Sequence, residues 1–187
     1  MRLFMEALNH PAVAFKKENK IVSWCIVIIT ILINTVFEPI LKHFYGVGSS
    51  TFDWLRMLKI TGYGILSYIT ICIIFWAVCK CFGSKVTLMN HINAWGISYF
   101  PNVICSLAVG ITEVFFFVFW NSSIWGMLAS SVFVGILLWK ALLYFVYLRE
   151  FAQLKGWRFF GAFIIMNCGI LALAALNGYV GLKTPIL

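Results

Sequence analysis

Residues 94–148 read AWGISYFPNVICSLAVGITEVFFFVFW, then NSS, then IWGMLASSVFVGILLWKALLYFVYL. Two apolar blocks, Ala94–Trp120 and Ile124–Leu148, are parted by three polar residues. A helix needs about 20 mainly apolar residues to cross a hydrocarbon core of about 30 Å. Each block meets that length, and so short a link predicts a tight helical hairpin within a membrane. Working outward, Ile21–Leu41, Ile60–Phe82 and Phe159–Leu182 repeat the pattern. The expected fold is all-α: a polytopic membrane protein forming one five-transmembrane-helix bundle across residues 1–187.

Composition agrees. Hydrophobic residues make up 63% of the chain, charged residues 11%, and the mean hydropathy is +0.97. These values exclude an ordinary soluble domain. The pieces between blocks are too short to bury cores of their own. The first block starts only after twenty residues and lacks a small-x-small cleavage site before a mature domain, so it is expected to remain as span one.

The net charge of +8 is a topology signal rather than a nucleic-acid signal. Arg2, Lys16, Lys17, Lys20, Lys80, Lys85, Arg149, Lys155 and Arg158 flank one side of the expected spans. Lys42, Arg56, Lys59 and Lys183 flank the other, and Lys140 lies inside span four. Positive residues accumulate on the cytoplasmic side, which predicts N-in and C-out, with added attraction to anionic head groups. The lipid bilayer is the expected partner, together with other membrane proteins or a second copy of the chain.

Residues 1–20 place Leu3, Phe4, Leu8, Ala12 and Phe15 on roughly one helical face, opposite Glu6, Asn9, Lys16 and Lys17. That pattern suits a short cytoplasmic helix in the interface, interrupted at His10-Pro11, with a loosely ordered basic tail as the alternative. Gly46, Gly48, Ser49 and Ser50 mark a flexible external loop, after which Thr51 or Asp53 can cap a helix. Small residues four apart, such as Ser106 and Gly110, Gly126 and Ser130, and Ala174 and Gly178, allow close helix packing in lipid. The Asn121-Ser122-Ser123 sequon lies too close to the bilayer to be a good glycosylation acceptor.

Ionisable residues within spans are costly, so they are functional candidates. Glu38, Glu113 and Lys140 stand out. With a turn at Ser122, Lys140 falls level with position 104, nine residues from Glu113, or about 14 Å along the axis. A direct salt bridge between them is therefore not expected. Pro101 in span three removes one backbone hydrogen bond and is expected to leave the Ile97 carbonyl free. Lys140 can donate to that carbonyl and to Asn102, or snorkel to the cytoplasmic head groups. Glu38, Glu113, Arg56 and Lys59 approach one outer level, where they could tie helices together or form a proton or ion site.

No catalytic residues, cofactor or metal are expected. The chain lacks a phosphate-binding glycine loop, a His-Glu-x-x-His, a Gly-x-Ser-x-Gly and paired intramembrane aspartates. All six cysteines lie in or beside spans, which argues against a disulfide framework. Cys79-Lys80-Cys81 supplies two thiols where a zinc site usually takes four ligands. Packing is its plainest role, with metal binding or juxtamembrane acylation as alternatives.

One family pattern is visible in His10-Pro11 with Phe15, and in Asn90-His91-Ile92. It continues in Gly96-Ile97-Ser98-Tyr99-Phe100-Pro101 and in Leu148-Arg149-Glu150 with Leu154-Lys155-Gly156. The layout resembles the Yip1 family, in particular its small bacterial members, over most of the chain. The resemblance implies a five-span, N-in and C-out protein of the bacterial cytoplasmic membrane, or of the ER or Golgi membrane if the source is eukaryotic. Here Tyr99 and Pro101 stand one residue closer than the family's Tyr-x-x-Pro, and the Asp-Leu-Tyr-Gly-Pro motif of eukaryotic members is absent. The implied role is non-enzymatic, organising membranes or acting as a trafficking adaptor. The alternative is a small transporter or channel subunit using the interrupted third span and the intramembrane charges.

Overall fold

Buried residues recur every three to four positions along the first long helix, so one stripe faces inward and the rest is left for lipid. On that helix the stripe is Ser23, Ile26, Val27, Thr30, Ile31 and Thr35. Two of its hydroxyls, Thr30 and Thr35, donate to the carbonyls of Ile26 and Ile31 at 2.7 Å. These two hydroxyls are thereby satisfied within the helix that carries them, as a membrane interior favours.

The computed structural model describes residues 10–16, 20–46 and 54–180. The expected cap at Thr51 or Asp53, the Leu3–Leu8 part of the N-terminal face, Lys183 and the side chains of Ala174 and Gly178 lie outside the described residues. The elements are α1 (Pro11–Lys16), α2 (Lys20–Tyr45), α3 (Trp54–Cys81) and α4 (Leu88–Trp95). A 3₁₀ turn (Gly96–Tyr99) leads into α5 (Phe100–Val114), which is followed by α6 (Phe116–Asn121) and α7 (Ser123–Val146). A π turn (Tyr147–Phe151) and α8 (Trp157–Val180) complete the chain. Among the described residues there is no strand.

Four helical stretches are long and apolar enough to cross a membrane: Lys20–Tyr45, Trp54–Cys81, Leu88–Val114 and Ser123–Phe151. In α8 the described apolar stretch is Trp157–Ala172, shorter than a span. The third stretch begins and ends six residues earlier than the apolar block at 94–120. At its start Thr87 accepts a hydrogen bond from the Asn90 amide, so the polar Asn90-His91 turn is already helical. At its end the helix breaks at Phe115 (φ −101°, ψ 34°), within a run of aromatic residues that lose side-chain freedom in a helix. The short α6 then leads to the expected reversal at Ser122, and α6 packs back on α7.

Successive long helices reverse direction, which brings Lys20, Lys80, Lys85, Arg149, Lys155 and Arg158 to one end of the bundle, all exposed. Around that basic end, α3 closes with Gly83 in the left-handed region (φ +91°). The Gly83 and Ser84 amides donate to Lys80 and Cys79 carbonyls at 2.9 Å. This paired closure satisfies the last carbonyls of α3 and is a place where glycine is favoured. Exposed Tyr45, Trp54, Trp120 and Trp125 mark the opposite end, and Trp157 marks the basic end. Aromatic side chains of this kind favour the two membrane–water interfaces.

The densest packing is also near the basic end. Phe15, Ile26, Ile71, Phe75, Trp95, Tyr99, Tyr147 and Leu148 are fully buried. Helix α1 lies across the π turn and reaches the 3₁₀ turn, with Phe15 edge-on to Tyr147 at 5.3 Å. This helix therefore docks on the bundle through Ala14 and Phe15.

Candidate functional site

Two elements create the site by departing from regular helix. Between α4 and α5 the 3₁₀ turn tightens the chain, and the Ser98 hydroxyl donates to the Trp95 carbonyl at 2.7 Å. The Ile97 carbonyl, expected to be free, accepts from the Phe100 amide. The expectation fails because Pro101 does not interrupt a continuous helix. It sits in the first turn of α5, where an amide has no intrahelical acceptor and its loss costs little. Gly96 lets the turn pack closely on α2: a Cβ there would stand 2.6 Å from the Ser23 carbonyl oxygen. Only a residue without a side chain allows that approach.

The π turn does the corresponding work at the end of α7, presenting Tyr147 to the bundle interior. Its hydroxyl hydrogen-bonds to Nδ1 of His91, and both residues are buried. His91 stacks on Trp95, one helical turn along, with ring centroids 5.7 Å apart. Trp95 in turn stacks on Tyr144 at 5.2 Å and stands edge-on to Tyr147 at 4.8 Å. Phe75 of α3 closes the cluster against Trp95 at 4.8 Å. Helix α4 is pinned from two further sides: Tyr68 donates to the Ile92 carbonyl, and Trp24 Nε1 donates to Asn93 Oδ1 at 3.2 Å.

One turn deeper than Tyr144, Lys140 is 7% exposed. Its Nζ lies 5.9 Å from the centroid of the Tyr144 ring, and Cys105 on α5 is its electrostatic neighbour. Cys105 adjoins position 104, the level that counting from Ser122 assigns to Lys140. Asn102, 2% exposed, and Pro101 are buried on the same first turns of α5. Lys140 therefore points inward beneath an aromatic ring. Among the described residues no carboxylate pairs with it.

The outer group is arranged differently. Glu38 accepts a hydrogen bond from Lys42 Nζ at 2.6 Å, one turn along α2. This partner, outside the expected group of Glu38, Glu113, Arg56 and Lys59, is what an i, i+4 Glu–Lys spacing offers. Arg56 and Lys59 are exposed on α3, and Glu113 is half-buried on α5.

Among the described residues, no three His, Cys, Asp or Glu side chains gather as they would to hold a metal, and the six cysteines are free thiols. The distinctive chemistry is instead a surplus of buried donors. Among the described residues, Trp95 Nε1, the Tyr99 and Tyr144 hydroxyls and His91 Nε2 have no hydrogen-bond partner. His91 Nε2 is a donor or an acceptor according to the ring tautomer, which also sets the direction of the Tyr147 hydrogen bond. This cluster is hard to see in the sequence, because tyrosine, tryptophan and a lone histidine pass as ordinary apolar filling. The available signal was the i, i+4 and i, i+3 spacing of Lys140, Tyr144 and Tyr147, which sets them on one helix face.

Compared with known protein families, characterised proteins and solved structures, the chain matches none. The chemistry of the site is read from its own side chains.

Proposed function

We propose that this chain is an integral membrane protein of the Yip1 type, with five spans, its N-terminus in the cytoplasm and its C-terminus outside. On this reading α8 continues as span five, and the membrane is the bacterial cytoplasmic membrane. The protein is non-enzymatic and serves as a membrane-organising or adaptor component. The observation that carries the reading is a convergence. Pieces of the family-like pattern that are scattered along the sequence, Phe15, His91, Gly96–Tyr99, Leu148 and Leu154, are all buried near the basic end.

Physically, that convergence gives a packed platform whose rim is cationic and whose lid is α1. Such a face suits docking of a membrane-associated partner: the aromatic core fixes the shape, and the exposed lysines and arginines set its charge. The test is in-cell crosslinking from cysteines placed at Lys85, Lys155 and Lys20, combined with accessibility labelling of each terminus. Discrete crosslinked partners at these positions, with the N-terminus shielded in intact cells and the C-terminus labelled, support the proposal. A reversed labelling pattern, or no partner from any of the three positions, refutes it.

A second reading, a small transporter or channel subunit, is favoured by one feature: the third span is broken at Gly96–Tyr99 beside the buried Lys140. Solute flux into proteoliposomes that is lost on Lys140→Met would select it over the adaptor.

A further inference from the structure

We propose that the level of Lys140 in this bundle is a binding site for a small monovalent anion of the halide class. The inference goes beyond the adaptor reading and does not rest on it. It begins from charge. A buried ammonium costs several kcal/mol in lost hydration even after the surroundings relax. A tyrosine face at 5.9 Å returns only part of that. Among the described residues no carboxylate supplies the rest.

The surroundings share one property. Among the described residues the Tyr99 and Tyr144 hydroxyls and Trp95 Nε1 are buried donors with no acceptor, and the Tyr144 ring lies between Lys140 and Trp95 in a chain of contacts. Tyr99 closes the 3₁₀ turn that packs against α7, the helix carrying Tyr144 and Lys140. A cation over a ring whose hydroxyl is itself an unpaired donor lacks negative charge and acceptor capacity nearby, and an anion supplies both. Burial selects the kind of anion. Tyr99, Tyr144 and Asn102 are each at most 3% exposed, which favours a compact ion over an oxyanion with its own hydrogen-bonding shell. One ammonium balances one negative charge, so the ion is monovalent.

The experiment uses the purified full-length chain in detergent, in sodium gluconate at constant ionic strength. Chloride or bromide is titrated in while the apparent unfolding temperature is followed. The expected result is a saturable rise of about 5 °C for either halide, with no comparable rise for phosphate. Lys140→Met abolishes the dependence and Lys140→Arg retains it. Lys42→Met, which breaks an ion pair at the other end of the bundle, leaves it unchanged. Tyr144→Phe keeps the ring but removes the hydroxyl, and raises the apparent dissociation constant about tenfold. This variant decides the matter if Lys140→Met does not fold. The proposal is overturned if the native chain shows no halide dependence, if Lys140→Met retains it, or if Tyr144→Phe binds as tightly as the native chain. A larger shift with phosphate or with sodium laurate also overturns it, since that would mark an oxyanion or an amphiphile instead. None of these outcomes bears on the crosslinking test of the adaptor reading.

Discussion

The Tyr147 hydroxyl and Nδ1 of His91, 56 residues apart in sequence, meet in the buried interior and join the end of α7 to the start of the third long helix. In that position the bond has no water to fall back on. Its loss leaves a buried ring nitrogen unpaired on a helix that is otherwise held by Tyr68 and Trp24.

Tyr147→Phe should therefore destabilise the purified protein by about 1–3 kcal/mol. In a double-mutant cycle with His91→Phe, the two losses should sum to more than the double variant loses. Thermal unfolding in detergent measures both. Strictly additive losses would mean that the two residues do not act as a pair.

Phe15 anchors α1 to the bundle with none of its surface exposed. Phe15→Ala should cost about 3–5 kcal/mol if the whole bundle responds. It should also speed proteolytic cleavage between α1 and α2. Val13→Ala, at an exposed position of the same helix, should leave the cleavage rate near that of the native chain. Equal rates for the two variants would show that α1 is not held by its buried face.

Gly96→Ala places a methyl group 2.6 Å from the Ser23 carbonyl oxygen, backbone that has no rotamer with which to yield. Loss of about 1–3 kcal/mol is expected. Gly135→Ala is the control: a Cβ there meets nothing within 4 Å, and alanine is the better helix former, so a gain of up to about 1 kcal/mol is expected. Unfolding temperatures of the two variants should move in opposite directions.

Pro101→Ala distinguishes a helix start from a kink. Because Pro101 occupies the first turn of α5 and the Ile97 carbonyl already has a donor, the change should shift stability by less than about 1 kcal/mol. A shift several times larger would show that the proline holds the break in place.

The two apolar blocks flanking Asn121-Ser122-Ser123 were enough to predict a helical hairpin, and the reversal falls at Ser122. Counting residues from that turn also placed Lys140 beside position 104, because the rise per residue of a helix hardly varies. The helix ends were less legible. Leu88–Asn93 looks polar to a hydropathy reading yet is helical, since Thr87 caps it and the bundle buries His91 and Asn93. The break at Phe115 left no trace in hydropathy because every residue around it is apolar.

The pairing of polar groups was the least legible part. Glu38 finds Lys42 through local helix geometry, which sequence spacing can suggest. Lys140 over the Tyr144 ring follows from i, i+4 spacing, whereas His91 with Tyr147 and Lys140 with Cys105 depend on how separate helices pack against one another. By itself the sequence determined that the chain is helical and suited to a membrane, because a backbone in lipid must satisfy its own hydrogen bonds over a fixed thickness. Only the tertiary structure decided which donors are left without acceptors, because that depends on side-chain directions set by packing between helices distant in sequence.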